Sequence, residues 1–577
     1  MKIFQHIGMA LVFAGLAVLA LLLNINHYSL TEKSIRTSIE DSAQADALLI
    51  ASGKMLTVDY ASKFSFAKDL KQSIDRANVN IETANNEAAD DNNEGVKTDS
   101  TRNQKNETDT AASNEKDSPK RNTGIATQIN KDSVNSGVTA AEANVEDSAT
   151  ESIDTDIVTI LLKNSVQGPL QKNTTAFLWL VIGLFSIGTV IFSFASYLSK
   201  PPGINNNNVF KKSISSKGIV GVLVSIGLIA FYCVLYWYPY LLADLIKLVD
   251  PLSYRISGYG ADDGFLYGTI YSFAVLLLGI KVFLKYRQST YQKVRTISVT
   301  FFQLSFAFII PEILRALKKP PVDLKNIWPL DYSFFWNNNI SELISNGKLG
   351  FFMLVWGIVL LIIIVPLFTY FFGKRWYCSW VCGCGGLAET AGDSFRQLSS
   401  KKLVAWKIER ILIYSVLVVI TLFTAITLIN YFSHGSLLGA ATESVHTWYG
   451  FLIGSVFAGV IGTGLYPIMG NRVWCRFGCP LSAIFGIIQR YKSRFRITTN
   501  GGQCISCGNC STYCEMGIDV RSYAQKGQNI VRASCVGCGI CAEVCPRGVL
   551  KLENGKVSDR INNDPILIGN NRIEVKL

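Results

Sequence analysis

Long runs of apolar residues alternate with short basic loops along most of this 577-residue chain. One run, between Leu349 and Phe372, reads LGFFMLVWGIVLLIIIVPLFTYFF and contains no charged residue. A helix needs about 20 apolar residues to cross a bilayer, and helices of soluble cores seldom reach that length. Runs of this kind predict about eight transmembrane helices, near Ile7–Ile25, Ala176–Leu198, Ile219–Leu242, Phe265–Lys281, Thr296–Leu314, Leu349–Phe372, Ile408–Phe432 and Tyr449–Gly470. The predicted fold class is a mostly α-helical membrane protein embedded in the lipid bilayer.

The chain between the first two spans, residues 26–175, has a different composition. From Ala67 through Ala176 it contains no aromatic residue, and stretches such as NNEAADDNNEG are rich in Asn, Asp and Glu. Such a chain buries too little apolar surface to offset its ordering entropy, so we expect a largely disordered outer (periplasmic) segment. Its first part, about Ser29–Asn80, has helical spacing and is expected to be ordered. Residues 1–25 are expected to be an uncleaved membrane anchor, because no convincing small-x-small cleavage site follows them.

A short sequence in the outer segment, Ser136-Gly137-Val138-Thr139, is similar to the Ser-Gly-x-Thr site at which some membrane redox proteins attach FMN through a threonine. No recognisable flavin domain surrounds it. A long polar tract can contain the sequence Ser-Gly-x-Thr by chance. Bound FMN is therefore not expected.

The formal charge of +12 reflects basic residues in short loops on one side of the membrane. They lie between spans two and three, four and five, and six and seven, and after span eight: Lys200, Lys211, Lys212, Lys217, Arg287, Lys293, Arg295, Lys374, Arg375, Arg396, Lys401, Lys402, Lys407, Arg490, Lys492, Arg494 and Arg496. The positive-inside rule explains this distribution without nucleic acid binding. It predicts a multi-pass protein of the cytoplasmic (inner) membrane with both termini in the cytoplasm.

Cysteine is concentrated in the C-terminal part of the chain. Of the 14 cysteines, all except Cys233 follow Tyr377, on the predicted cytoplasmic side. This placement argues against disulfides and favours reduced thiolates, which are the ligands of iron–sulfur clusters. Cys233 lies alone in the third span and is expected to be a core residue.

The strongest pattern is a pair of tightly spaced motifs, Cys504-x₂-Cys507-x₂-Cys510-x₃-Cys514 and Cys535-x₂-Cys538-x₂-Cys541-x₃-Cys545-Pro546. In two-cluster ferredoxins the first three cysteines of a motif bind one [4Fe–4S] cube and the fourth binds the other. We therefore predict two [4Fe–4S] clusters, one bound by Cys504, Cys507, Cys510 and Cys545, the other by Cys535, Cys538, Cys541 and Cys514. Zinc knuckles, the alternative, have paired CxxC motifs with longer gaps and often a histidine.

These motifs define a cytoplasmic two-[4Fe–4S] ferredoxin-like α+β domain and tail, residues 497–577, after a seven-span membrane domain, residues 176–496. Gly508, Gly537 and Gly539 suit loops whose backbone amides approach cluster sulfurs. Glu515 stands where the second motif has proline, a departure that removes no ligand. The tail sequences GVLKLENGKV and RIEVKL predict short strands.

A second pattern is an internal repeat of the frame G-x-R-x-aromatic-C-x-aromatic-x-C, beginning at Gly373 and at Gly470. Each copy lies just past the predicted cytoplasmic end of a span, the sixth or the eighth. Its CxxxC cysteines are the candidate catalytic residues: Cys378, Cys382, Cys475 and Cys479. Two thiols about one helical turn apart suit a metal, a further cluster or a redox-active dithiol, and these options stay open. The alternative is buried packing cysteines, and Cys384 is an extra thiol without an assigned role.

The histidines are few: His6 on the inner side and His27, His434 and His446 on the outer side. His434 and His446 bracket the outer loop between spans seven and eight, where a quinol could dock and release protons. Polar residues at the membrane interface are the simpler interpretation. No span offers the facing histidines that a bis-histidine haem requires.

From about Leu349 to Gly548 the sequence resembles the membrane polyferredoxins of the NosR, NapH and CcoG groups. The resemblance rests on the motif CRFGCP at Cys475–Pro480 and on the two ferredoxin motifs. It implies several spans, two CxxxCP motifs at cytoplasmic helix ends, and a role in delivering electrons to periplasmic reductases or in maturing metalloenzymes. The first motif, CSWVCGC, departs from the pattern, because Gly383 and Cys384 stand where proline is expected.

Two functions follow from these patterns. The leading hypothesis is a membrane electron carrier that passes single electrons between a cytoplasmic donor or the quinone pool and a membrane or periplasmic acceptor. If it acts as an enzyme, it is quinol dehydrogenase-like. The alternative is a redox assembly factor that reduces or delivers a metal through the CxxxC thiols. Both hypotheses require redox partner proteins.

The predicted topology is testable with reporters that are active on one side of the membrane only. Alkaline phosphatase should be active when inserted after Asn130 and inactive when fused after Leu577, because the first position is expected outside and the second inside. A cytoplasmic fluorescent reporter should give the reverse pattern. Active phosphatase at Leu577 would contradict the cytoplasmic ferredoxin domain.

Overall fold

The computed structural model describes residues 2–39, 41–94, 157–198, 218–319, 321–433, 440–500, 503–554, 566–568 and 573–575. Within these ranges, 8 helices are long and apolar enough to cross a membrane: Lys2–Ile25, Pro169–Tyr197, Ile219–Trp237, Asp263–Lys285, Thr290–Ala316, Gly347–Phe372, Leu403–Phe432 and Ala441–Gly464. We refer to them as spans one to eight. The predicted class of a mostly α-helical membrane protein is confirmed.

Two predicted span ends are wrong by several residues. Span three ends at Trp237 instead of Leu242, because Pro239 lacks the amide hydrogen that would continue the helix, and a 3₁₀ turn follows. Span eight ends at Gly464, and a separate short helix, Tyr466–Met469, follows it. The apolar run continues across this break, so hydropathy alone extends the span too far.

Three spans contain π-helical segments: Ser305–Ile309 in span five, Leu360–Ile364 in span six and Gly450–Ile461 in span eight. Such segments are uncommon and occur frequently at functional sites. Spans five and six line the aromatic cleft described below, and span eight leads into the second CxxxC motif.

Spans one and two approach closely where glycine faces glycine. A Cβ atom on Gly8 would lie 2.7 Å from the carbonyl oxygen of Gly188, and one on Gly188 would lie 2.8 Å from that of Gly8. Small residues of this kind let transmembrane helices pack backbone to backbone. The first span therefore packs as an integral helix of the bundle.

Residues Ile25–Lys172 and Pro239–Lys247 form a unit of their own. Its described elements are three strands in the order Asp59–Tyr60, His27–Ser29, Val166–Gln167, and the helical segments Glu32–Ser38, Ser42–Ala51, Met55–Thr57, Lys63–Glu94 and Ile157–Asn164. The two pairings of the central strand are antiparallel.

The helix Lys63–Glu94 continues past Asn80, where the ordered part of the outer segment was expected to end. Its apolar side chains recur every three or four residues and are buried: Phe66, Leu70, Ile74, Ala77 and Ile81. This helical period supplies an apolar face even where aromatic residues are missing. Residues 95–156, which include the Ser136–Thr139 sequence, lie outside the described residues.

A buried carboxylate, Asp244, joins distant parts of this unit. It accepts hydrogen bonds from Asn26 Nδ2 at 3.0 Å and Tyr28 Oη at 2.8 Å, and it pairs with Lys63 Nζ at 2.6 Å. A buried charge is tolerated only when its partners are in place. Asp244 therefore links the central strand, the long helix and the chain that follows span three.

The substitution Asp244→Ala should destabilise this unit by about 3–5 kcal/mol, because it removes the ion-pair partner of Lys63 and the acceptor of the hydrogen bonds from Asn26 and Tyr28. Pulse proteolysis of the full-length protein in liposomes measures the change. The matched control is Asp46→Ala, which breaks an exposed 2.9 Å pair with Arg36 in the same unit and should cost less than about 1 kcal/mol. Equal losses in the two variants would contradict this role of Asp244.

The rest of the described chain forms the other unit, which holds the spans and the C-terminal domain. Its shorter helical segments are Asn337–Ser345, Arg375–Cys378, Gly383–Thr390, Ala391–Leu398, Val473–Phe477, Pro480–Tyr491, Asn509–Thr512, Val520–Gln525 and Ile540–Glu543, and the helix Ala243–Ile256 runs into it. The strands Arg496–Thr499 and Leu550–Glu553 pair antiparallel, as do Ile566–Ile568 and Ile573–Val575. The short strands predicted in the tail are confirmed.

The C-terminal domain packs directly on the membrane part. One core cluster combines side chains from the first CxxxC segment, the helix Pro480–Tyr491 and the C-terminal domain, including Tyr377, Phe485, Phe495, Ile497 and Val536. Cysteines of all three motif regions belong to the same cluster. This shared core places the two kinds of cysteine motif side by side.

Candidate functional site

The structure gathers the predicted site cysteines around three cavities. The outer site is lined by Cys504, Cys507, Cys510 and Cys545, and the inner site by Cys514, Cys535, Cys538 and Cys541. The CxxxC site is lined by Cys378, Cys382, Cys384, Cys475 and Cys479. The cavity volumes are about 20 Å³, 20 Å³ and 10 Å³ respectively. Each ferredoxin cavity contains the four cysteines that were predicted to share a cluster.

Left-handed backbone at matching positions shapes the two ferredoxin loops. Gly508 and Gly539, which follow the second cysteine of each motif, have φ of 78° and 77° and begin short helices. The residues before that cysteine, Ser506 and Gly537, have φ of 58° and 64°. Glycine takes this conformation at little cost, whereas a residue with a side chain does so rarely. The motifs therefore adopt one loop geometry despite their different residues.

The two ferredoxin sites differ in exposure. At the outer site Cys507 is exposed, whereas Cys535 and Cys541 of the inner site are buried. Burial raises the pKa of the Cys535 thiol to about 11. When a metal binds a buried thiol of this kind, the metal takes the place of the thiol proton. Metal binding and deprotonation are therefore coupled.

The repeated CxxxC segments fold alike. A glycine with positive φ, Gly373 or Gly470, ends the preceding helix. The backbone N–H of the second cysteine then bonds the carbonyl five residues back: Cys382 to Tyr377 at 2.8 Å and Cys479 to Trp474 at 3.0 Å. Each second cysteine precedes the first residue of a helix. Positive dipoles at helix starts favour thiolates, so the repeat positions sulfurs suited to bind metal.

Cys384 is the fifth thiol of this site and occupies the region where the second motif has Pro480. The hydrogen bond between the Cys384 and Cys382 side chains lowers the pKa of Cys382 below its ordinary value. Burial raises the pKa of Cys378 to about 12. The site thus holds four paired CxxxC thiols and one additional donor beside them.

Sequence reasoning missed a group of buried charges between the inner site and the CxxxC site. We call it the arginine–glutamate cluster: Arg295, Arg396, Arg472, Glu389 and Glu515. Glu389 pairs with all three arginines, at 2.7 Å, 2.6 Å and 2.6 Å, and each of the five side chains is at most 4% exposed. Burial by itself would raise the pKa of Glu389, but the three guanidinium groups lower it by more. The pKa therefore lies well below its ordinary value. From the sequence, Arg295 and Arg396 are explained by the positive-inside rule, Arg472 is the arginine of the repeated frame, Glu515 is a departure from proline in the first ferredoxin motif, and Glu389 belongs to no motif.

The donor chemistry of the three cavities fits iron–sulfur clusters. Each cavity offers four thiols or more, and soft thiolates suit iron–sulfur clusters. Among the described residues, no group of three or more His, Cys, Asp or Glu side chains could hold a single metal ion.

Other predicted residues lie away from these cavities. His446 stacks on Trp336 with ring centroids 4.2 Å apart, and its Nε2 lies 3.1 Å from Ser333 Oγ. This packing supports the simpler interpretation of a polar residue held at the interface. His434 lies outside the described residues. Cys233 is partly buried in span three, apart from the cysteine cavities.

Family models match the two cysteine-rich regions. A 4Fe–4S dicluster domain matches residues 503–550, and a 4Fe–4S binding domain matches residues 353–403 and 450–498. YccM of Escherichia coli (strain K12), whose name proposes a role in electron transport, is 26% identical over 159 residues, or 26% of this chain and 44% of YccM. MauN, a methylamine utilization ferredoxin-type protein of Methylobacillus flagellatus, is 26% identical over 158 residues, or 26% of this chain and 52% of MauN.

The chain spans about half the length of the curated relatives it matches, and no solved structure matches it. The matches confirm 4Fe–4S binding domains and homology to ferredoxin-type electron transport proteins, as the resemblance to membrane polyferredoxins predicted. Iron–sulfur electron transfer is therefore the activity that these domains support.

The grouping of cysteines can be tested by combining substitutions. Cys507→Ala and Cys545→Ala should each remove one and the same [4Fe–4S] signal from the EPR spectrum of the reduced protein, and the double variant should lose nothing more. Cys545→Ala with Cys538→Ala should lose both ferredoxin signals. If Cys545→Ala instead removes the signal that Cys538→Ala removes, the assignment of Cys545 to the outer site is wrong.

Proposed function

We propose that this protein is a membrane-bound electron carrier that uses two [4Fe–4S] clusters and the CxxxC site. It passes single electrons between a cytoplasmic redox partner and a membrane or periplasmic acceptor. The observation that carries the proposal is the packing of both ferredoxin sites and the CxxxC site into one core at the ends of spans six and eight. An iron–sulfur cube accepts and releases one electron at a time, and the chain's residues set where it sits.

The outer site is proposed to face the soluble partner. Cys507 is exposed and the neighbouring Ile505 is 56% exposed, so a partner can approach within a short distance of this cluster. Two cysteines of the inner site and all four CxxxC cysteines are buried, so a partner reaches these sites less directly. This order supports a relay from the exposed head towards the membrane, with both termini and the domain 497–577 in the cytoplasm.

The CxxxC site is proposed to bind a further cluster through Cys378, Cys382, Cys475 and Cys479. The 4Fe–4S binding domain model matches the two segments that contain these residues, 353–403 and 450–498. The cavity that they line, about 10 Å³, is similar in size to the two ferredoxin cavities, which are about 20 Å³ each. Four thiols contributed by two like segments suit a cube with one pair of ligands from each.

An aromatic cleft beside the CxxxC site supports the quinone pool as a second exchange partner. The cleft has a volume of about 580 Å³ and lies between spans five and six, with Phe302, Phe306, Trp356, Leu360, Trp376, Tyr377 and Trp380 in its wall. Ligand pockets are typically apolar and of this size. Tyr377 lines both the cleft and the CxxxC site, so a quinone ring in the cleft lies one side chain from the cysteines.

The second candidate function is a redox assembly factor for a metalloenzyme. Cys384 favours it, because a fifth thiol beside Cys382 offers an alternative ligand for a metal in transit. In that case the clusters would supply electrons to the thiol site. Substituting Cys384 with alanine separates the two functions, since only the assembly role requires a fifth thiol.

The quinone assignment is testable with Phe306→Trp, which fills the cleft. Reduction of the clusters by a short-chain quinol, followed by stopped-flow absorbance, should slow at least about 10-fold, equivalent to about 1.4 kcal/mol. Reduction by dithionite should be unchanged. The matched control is Phe301→Trp on the same span, where Phe301 is 54% exposed and outside the cleft lining. Equal quinol rates in the unaltered protein and Phe306→Trp would refute this site.

A further inference from the structure

We propose that Arg396 and Arg472 raise the reduction potentials of the inner site and the CxxxC site, and that Glu515, which pairs with both arginines, forms an electrostatic bridge between the two sites and moderates that rise. We call these residues the bridge. The proposal deepens the proposed function and rests on it, because both sites must hold redox centres. The three residues act as positioning residues: they set the charge around the cysteine ligands and bind no substrate.

Arg396 reaches the inner site from the loop that follows the first CxxxC motif. Its Nη1 lies 3.6 Å from Cys538 Sγ and 2.8 Å from Glu515 Oε2, and its Nη2 lies 2.6 Å from Glu389. The side chain is 1% exposed. One guanidinium group therefore donates to a cysteine of the inner site while three carboxylates, Glu389, Glu515 and Asp393, hold it in place.

Arg472 plays the corresponding part at the CxxxC site. Its Nη1 donates to Cys475 Sγ at 3.6 Å and to the Cys378 carbonyl at 3.2 Å. Its Nη2 lies 2.6 Å from Glu389 and 3.3 Å from Glu515 Oε1. It therefore contacts both CxxxC motifs and two of the carboxylates that Arg396 contacts, Glu389 and Glu515.

Glu515 is the link between the two arginines and is buried. It follows Cys514 at the position where the second ferredoxin motif has Pro546. A proline side chain could accept a hydrogen bond from neither guanidinium group. Asn471 Nδ2 also donates to Glu515, at 3.2 Å. Because the first ferredoxin motif has Glu515 instead of proline, the segment that carries Cys514 is connected to the second CxxxC segment.

The effect on potential follows from charge. The three guanidinium groups and two carboxylates of the arginine–glutamate cluster leave one net positive charge in a buried place. The buried Asp393 also lies 3.3 Å from Arg396 Nε, but Lys285 Nζ pairs with it at 2.6 Å and balances its charge, so the net charge stays positive. Positive charge and N–H donors at cluster sulfurs stabilise the reduced, more negative state and so raise the reduction potential. The outer site is lined by Arg521 and Arg547, which are exposed, so water and salt screen their charge.

Redox titration of the full-length protein, followed by EPR at each signal, tests the bridge. Glu515→Gln keeps the shape of the side chain and removes its negative charge, so the potentials of the inner and CxxxC sites should both rise while that of the outer site stays. Arg396→Lys loses the forked donor, so the inner-site potential alone should fall. Arg472→Lys should lower the CxxxC-site potential alone.

The matched control is Glu553→Gln, which removes the same charge from the ferredoxin strand Leu550–Glu553 outside the bridge and should shift none of the three potentials. Iron content reports whether each variant keeps its clusters. Unchanged inner-site potentials in both Glu515→Gln and Arg396→Lys, or equal shifts at all three sites, would overturn the bridge. A missing third signal in the unaltered protein would contradict only the cluster proposed for the CxxxC site, and the inner-site arm would still decide the bridge.

Discussion

The arrangement of this protein depends on charges that are buried where the membrane part meets the ferredoxin domain. Glu389 and Glu515 satisfy Arg295, Arg396 and Arg472, and removing one member of such a group costs about 3–5 kcal/mol because it leaves its partners unpaired. The five residues come from span five, from the chain around both CxxxC motifs and from the first ferredoxin motif. These ion pairs form only when all of these segments come together. The cysteine cavities lie beside the buried charges.

The internal repeat shows how one frame serves two purposes. Arg375 and Arg472 occupy the same place in the two copies, yet Arg375 packs over the ring of Phe495 at 4.9 Å, whereas Arg472 is buried among carboxylates. The glycines that open the frame and the cysteines that close it keep the same local geometry in both copies. The shared backbone conformation therefore positions the cysteine sulfurs in both copies. The other side chains of each copy contact different neighbours.

The sequence predicts most of this fold because bilayer spans and iron–sulfur motifs are local signals. A run such as Leu349–Phe372 or a spacing such as Cys504-x₂-Cys507 needs no tertiary information. The helix Lys63–Glu94 was partly missed because the lack of aromatic residues after Ala67 was given more weight than the helical spacing of its apolar residues. The role of Glu515 was missed because its partners are distant in the chain, and a buried ion pair has no spacing rule. The aromatic cleft likewise arises only when two spans pack.

The central claim is that three cysteine cavities in one core hold three redox centres. Electron cryo-microscopy of the full-length protein, purified without oxygen and placed in lipid nanodiscs, tests it most directly. The account predicts three cube-sized densities, each bonded to the sulfurs of one cavity: the outer site, the inner site and Cys378, Cys382, Cys475 and Cys479. Disulfides or single ions in the ferredoxin cavities, or a CxxxC site that is empty in a protein with intact ferredoxin clusters, would contradict it.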